Sequence, residues 1–259
     1  MKLAGAAELL HATVDEVEQN AEFVDCAMSY VADSAQLIFA HDDGGPLTKT
    51  LKGALELRRT QPAAVFRGLI VQIVAAFEEY VRNFCNAQIT LIHTRINDQG
   101  GDLNSKLRLT YLSKAGKILG QLPTGTFLGA KFDFPSLENT LSTVLKSEKP
   151  IELQPEVFST RIGNCNSEKL VEIFEWFDLK QPFRKELGSH TATLNWRNGS
   201  ASPTAVAGLM KRELDDLIDL RNDLAHGEPR TVSIDSVKNG AQLVKALATA
   251  FSDLADVDA

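Results

Sequence analysis

The chain has 259 residues, 44% of them apolar and 24% charged, with a formal net charge of -7. Such a length and composition suit a soluble globular protein with a substantial core, in one large domain or two small ones. The acidity excludes a sequence-independent nucleic-acid coat, which needs a broad positive surface to release counterions.

Residues 6 to 40 place Leu9, Leu10, Val14, Val17, Ala21, Val24, Met28, Val31, Ala35 and Ile38 at steps of three and four, which predicts one long amphipathic helix. Asp42-Asp43-Gly44-Gly45-Pro46 ends it, and a short helical stretch runs to about Arg59. Pro62 then reads as a first-turn proline for a helix that carries Phe66 to Ile96, and Asn97 to Gly101 form the next break. From 100 to 165 the pattern weakens and reads as an inserted segment or lid. Ser105 to Leu119 and Leu137 to Lys146 are helical, Leu122 to Pro135 is irregular, and Ile151 to Phe158 is extended. Ser167 is the expected cap of a helix from Glu168 to Phe177, whose aromatic end reads as core. Leu179 to Ser202 reads as a polar loop, a helix occupies about 204–226, and a last one starts near Ser233 or Ile234.

The most apolar run, Leu69 to Phe77, is too short to span a bilayer, and Glu8 and His11 interrupt the N-terminus before a signal-peptide core develops. A cytoplasmic protein is the expectation. Cys26, Cys85 and Cys165 are odd in number and far apart, so they read as reduced thiols, and no spacing suits a zinc site or a nucleotide loop. No metal and no cofactor is expected.

The segment Arg221-Asn222-Asp223-Leu224-Ala225-His226-Gly227-Glu228 places a guanidinium, an amide and an imidazole at a helix end. Gly227 supplies the left-handed stop and Pro229 prevents resumption. Imidazole titrates near neutral pH, and a guanidinium is a permanent cation whose planar donors match two phosphate oxygens. These are the groups that RNA cleavage by the substrate's own 2′-hydroxyl requires. Residues five apart on an ideal helix lie about 140° apart in azimuth, so Arg221 and His226 do not share a face. The polar face reads Asp215, Asp219, Asn222, His226. Either the last turn unwinds, or a second copy of the motif completes the site. The same residues also fit an ordinary capping arrangement in which Arg221 pairs with Asp219, Asp223 or Glu228 on the surface.

With four residues between Arg221 and His226, RNDLAHGE resembles the Arg-x4-6-His signature of HEPN domains, the all-helical ribonucleases and RNA-binding modules of bacterial toxin and phage-defence systems. Phe66 to Asn83 resembles the long early core helix of the larger HEPN proteins, with its apolar run into Phe77-Glu78-Glu79-Tyr80-Val81. The resemblance covers residues 62–97 and 203–256 best. It implies an all-α bundle of long antiparallel helices, a single domain, and an RNA substrate. It also implies a homodimer or a heteromer with a partner encoded beside it, since HEPN sites usually form between two domains.

On this reading Arg221 binds the scissile phosphate, His226 moves the proton, and Asn222 orients one or the other. Glu79 is a candidate supporting contact from the early helix, with Glu78 a position away. Lys211, Arg212, Trp196 and Arg197 are candidate RNA-binding residues, because cations meet phosphates and Trp and Arg stack on bases. The product would carry a 2′,3′-cyclic phosphate. The rivals are a non-catalytic HEPN-like module that binds RNA or protein, and a regulatory, antitoxin-like subunit of a defence complex.

Overall fold

One helix organises the molecule. In a computed structural model, α2 runs from Pro46 to Gln99 and carries Ile70, Ile73, Val74, Phe77, Tyr80, Val81 and Phe84, all buried, along one broad face. So broad an apolar face needs more than one helix to cover it, and α2 is packed by α1 (Leu3–Phe39), α10 (Ile234–Asp258), α9 (Pro203–Ala225) and the short α5 (Glu156–Ser159). The remaining helices are α3 (Ser105–Leu119), α4 (Phe134–Lys146), α6 (Ser167–Trp176), α7 (Lys185–Ser189) and α8 (Thr191–Trp196). The fold class is all-α. The structure describes residues 3–39, 46–100, 102–121, 134–146, 149–160, 162–196, 202–228 and 230–258; the side chains of 30–39, 46–62, 134, 195 and 256–258 lie outside that description. Among the described residues no helix is long and apolar enough to cross a membrane.

α1 and α10 close over the two sides of α2. Leu3, Ala6, Leu10, Val14, Val17 and Ala21 bury one face of α1; of the residues read from its spacing Leu10, Val14, Val17 and Ala21 are buried, Val24 and Met28 are half-buried, and Leu9 is exposed because it sits off the buried stripe. The Tyr80 hydroxyl donates to the Ala248 carbonyl at 2.9 Å and lies 3.0 Å from Ser252 Oγ, so the ring buries its body and still satisfies its polar end. Rings at 5.3 Å link Phe84 to Phe174 and Phe174 to Phe251, joining α2, α6 and α10 in one aromatic stack. The aromatic end of α6 is core, as its sequence suggested, with Trp176 and Phe177 packed on Phe158.

The 100–165 segment is packed into this core and is not a loose lid. Leu107, Tyr111, Ile118, Leu137, Val144, Val157 and Phe158 are buried in the same cluster as the long helices. Asn97, near the end of α2, donates to the Ile151 carbonyl and accepts from its N–H, both at 3.0 Å, which pins the returning chain. Its helices match their expected spans at α3 and nearly so at α4. The expected extended stretch Ile151 to Phe158 is only partly so: Ile151 to Gln154 are in no helix, whereas Glu156 to Ser159 closes a single helical turn.

Three further boundaries differ from expectation. Pro62 lies inside α2, not at its first turn; an interior proline costs about 3 kcal/mol, which the burial of Phe66, Ile70, Ile73, Val74 and Phe77 beyond it outweighs. α6 is capped by Asn166, whose side chain accepts from Lys169 N at 2.9 Å, because Ser167 is taken by another helix. The stretch from Leu179 contains α7 and α8, pinned by packing on α9 and α10 in spite of their polar sequence. The Asp42 to Gly45 stop, residues 122–133, Arg197 and Pro229 lie outside the described residues. All three cysteines are free thiols, Cys26 exposed and the other two buried.

α9 starts where backbone meets backbone. A Cβ on Gly188 of α7 would stand 1.7 Å from the Pro203 carbonyl oxygen, at the first residue of α9. Only glycine fits, and neither backbone can yield as a side chain would. Gly188→Ala is therefore expected to destabilise by at least about 3 kcal/mol, the upper range for overpacking. Urea unfolding measures it, and a midpoint unchanged from the parent would contradict this account of α9's placement.

Candidate RNA-processing site

The motif helix earns its position through six buried residues, Val206, Ala207, Met210, Leu214, Leu217 and Ile218, at helical spacing. Burying each such side chain contributes about 1.5–3 kcal/mol for the larger ones. Ser202 caps its start, with Pro203 in the first turn. At the other end Glu228 N–H donates to the Asp223 carbonyl at 2.9 Å and Gly227 N–H to that of Leu224 at 3.2 Å, with Gly227 at φ +80°. This is a Schellman stop, and the glycine expected from the sequence makes it.

The last turn does not unwind. His226 has φ -85° and ψ 1°, and its N–H still donates to the Asn222 carbonyl at 3.0 Å. Arg221 and His226 therefore keep close to the azimuthal separation of an ideal helix. The His226 side chain is exposed and has no hydrogen-bond partner among the described residues; Asn222 is half-buried. Asp215 begins the polar face, but its carboxylate is occupied, accepting from Ser167 N and Ser167 Oγ, both at 2.7 Å. It anchors the start of α6. Asp219 is exposed.

Arg221 turns inward. Its Nη2 donates to Oε1 of Glu78 on α2, an ion pair whose side chains are 20% and 14% exposed. Asp223 pairs with Arg230 instead, so the surface-capping alternative for Arg221 does not hold. The acid that meets the motif is Glu78 and not Glu79, which is 56% exposed and binds Arg82 Nε at 2.8 Å. The reason is phase: Val74, Glu78, Val81 and Cys85 fall at steps of four, three and four on a buried stripe of α2, while Glu79 follows Gln72 and Ala75 on the outer face. A carboxylate in register with an apolar stripe was the readable signal for Glu78.

One loop holds the arrangement closed. Asn164, at φ +48°, donates its N–H to Glu78 Oε1 at 2.7 Å, and Arg82 Nη1 donates to the Ile162 carbonyl at 2.8 Å. Asn tolerates the left-handed conformation better than most residues. Residues 162–167 are thus stitched to α2 through Glu78 and Arg82 and to α9 through Asp215. Arg82, absent from the sequence-derived site, is a second guanidinium beside it. Cys165 lies in this loop, and burial, with the Glu78 carboxylate adding, pushes its thiol up to about 12, so it stays neutral.

The other candidates stand apart. Lys211 and Arg212 are exposed on α9, about 14 Å along the axis from Arg221. Trp196 is half-buried and lies with Gln242, Lys245 and Thr249 of α10. The part of α10 beside Asp216 to Leu220 of the motif helix is Ser236 to Gly240, which leaves Trp196 on the order of 15 Å further along. The structure does not bring it to Arg221. Among the described residues no group of three His, Cys, Asp or Glu could hold a metal ion.

The all-α bundle is of the fold class of HEPN domains. The family model described as RiboL-PSP-HEPN matches residues 42–256, and the chain belongs to that family. The match takes in the 100–165 segment and begins after α1. No curated protein and no solved structure matches the chain.

Glu78 answers Arg221 and the Asn164 amide with the same oxygen, so removing it leaves a largely buried guanidinium and an N–H without their acceptor. Glu78→Ala is expected to cost about 2–4 kcal/mol, between a lost hydrogen bond and a broken buried ion pair. Amide exchange at Asn164 should accelerate with it. Unchanged protection of that amide would show that the loop is held by other contacts.

Proposed function

We propose that the protein is a metal-independent endoribonuclease, working in a toxin or anti-phage defence setting. The observation that carries this is the division of labour at the end of α9: a guanidinium oriented from inside by Glu78, and an imidazole left exposed one turn on. One Arg221 nitrogen serves Glu78. The rest of its donor fork remains for phosphate oxygens.

The chemistry needs a proton taken from the 2′-hydroxyl as its oxygen attacks phosphorus, and a proton given to the departing 5′-oxygen as the P–O5′ bond breaks. The products are a 2′,3′-cyclic phosphate and a 5′-hydroxyl. His226 moves protons, Arg221 stabilises the charge gathering on the phosphate oxygens, and Asn222 orients the phosphate or the imidazole. Because the helix end stays wound, one chain does not bring its own Arg221 and His226 to a common point. A second copy of the motif across a two-fold axis supplies what is missing, and with it a second imidazole, so that one can accept a proton while the other donates.

Purified protein incubated with RNA in EDTA should yield cyclic-phosphate fragments. His226→Ala should lower the rate by at least about 10²-fold, the usual worth of a proton-transfer group, while changing stability by about 1 kcal/mol or less. Arg221→Lys should be comparably severe, since an ammonium does not reproduce the planar fork. Cleavage by His226→Ala at the parent rate would contradict the assignment. RNA binding without cleavage by the parent would favour a binding module.

A further inference from the structure

The chain's net charge is concentrated in one place. Between Leu3 and Phe39, α1 carries seven carboxylates and no lysine or arginine, as many negative charges as the net -7 of the whole chain. Those turned towards α10 are neutralised: Lys245 binds Asp15 at 2.6 Å and also Glu18, and Lys238 binds Glu22 at 2.9 Å. Glu16 faces the other way and has no ion-pair partner among the described residues.

On that side α1 and α2 form an open groove of about 460 Å³, walled by Leu9, Thr13 and Glu16 from α1 and by Gln72, Ala76 and Glu79 from α2. It follows about three turns of each helix, roughly 17 Å. Leu9 is 53% exposed at its edge, and Phe23, 74% exposed, stands fourteen residues on; Leu9, Glu16 and Phe23 recur at intervals of seven and so share a face. An exposed leucine over an apolar groove floor, beside an acid, marks a contact surface more than a solvated one. The hairpin of α1 and α2 is covered by α10 on one side only.

We propose that this groove is the docking site for a partner protein, and that the docked element is an amphipathic helix of about three turns with an apolar stripe flanked by lysine or arginine. The apolar stripe would cover Leu9 and the groove floor, and the flanking cations would meet Glu16 and Glu79. Charge decides among the occupants. A nucleic-acid strand would bring its phosphates against two carboxylates, and a second copy of this chain would set Glu16 and Glu79 against themselves, both costly. A cationic helix gains at Glu16, which no cation answers among the described residues, and extends the pairing that Arg82 already makes with Glu79. The proposal stands apart from the catalytic reading, because the groove lies on the outer face of α2, whereas Glu78 and Arg221 lie on the inner stripe. It places the partner one residue from Glu78, with Glu79 of the groove already bound to the Arg82 that holds the 162–167 loop.

The test uses the full chain and two labelled helical peptides of about fourteen residues, identical in their leucine stripe, one flanked by lysines and the other by glutamates. Fluorescence anisotropy should show the basic peptide binding at least ten-fold tighter than the acidic one. Leu9→Lys and Glu16→Lys should each weaken it ten-fold or more, with circular dichroism unchanged. Asp216→Lys, an equal charge change at an exposed site on α9, should leave the affinity alone and control for general acidity. Equal affinity for the two peptides, or an equal loss with Asp216→Lys, would overturn the proposal. So would sedimentation showing that Leu9→Lys dissolves a homodimer, since the groove would then be a self-interface.

Discussion

A carboxylate placed on the buried stripe of a central helix must be answered, because an unpaired charge out of water costs several kcal/mol. In this protein Glu78 is that carboxylate, and its demand ties three parts of the chain together. Arg221 answers from the motif helix and the Asn164 amide from the 162–167 loop. The same loop returns to α9 through Ser167 and Asp215. The pair thus fixes the rotation of α9 against α2 and, with it, the direction in which the final turn points. An arginine on the surface would be a mobile cation; this one is aimed from behind.

The consequence for function follows from what the pair leaves undone. Glu78 orients Arg221 without reaching His226, and the Schellman stop at Gly227 keeps the last turn helical, so the two motif side chains diverge. A single chain presents each group in a defined place and joins neither to the other. On the proposed reading this is half of a composite site. The lone motif and the exposed imidazole both fit a pocket that becomes active only when two helix ends face one another.

Much of this was legible in the chain. The three-and-four spacing of Leu10, Val14 and Val17 gave α1, Ser105 to Leu119 bounded α3 as observed, and Gly227 marked the end of α9 by its unique tolerance of positive φ. What escaped the sequence was decided by tertiary partners. Ser167 looks like a cap until Asp215, forty-eight residues away, takes both its N–H and its hydroxyl. Glu78 and Glu79 are adjacent and chemically equal, and they separate only when each is set in phase with Val74 and Val81 or with Gln72 and Ala75. Trp196 read as near the motif because it precedes α9, but α8 turns back to pack on α10. Arg82 carried no local sign at all, since its role depends on a loop eighty residues downstream.

The composite site is the claim on which the proposed activity turns, and mixing two inactive variants tests it most directly. Arg221→Ala and His226→Ala, each purified, would be combined, allowed to exchange subunits and assayed on RNA in EDTA. If each catalytic centre draws its arginine from one chain and its imidazole from the other, the mixture should recover a substantial part of the parent rate while either variant alone stays inactive. A parent protein that is monomeric at micromolar concentration by light scattering, and that cleaves with a rate first order in enzyme, would contradict the account.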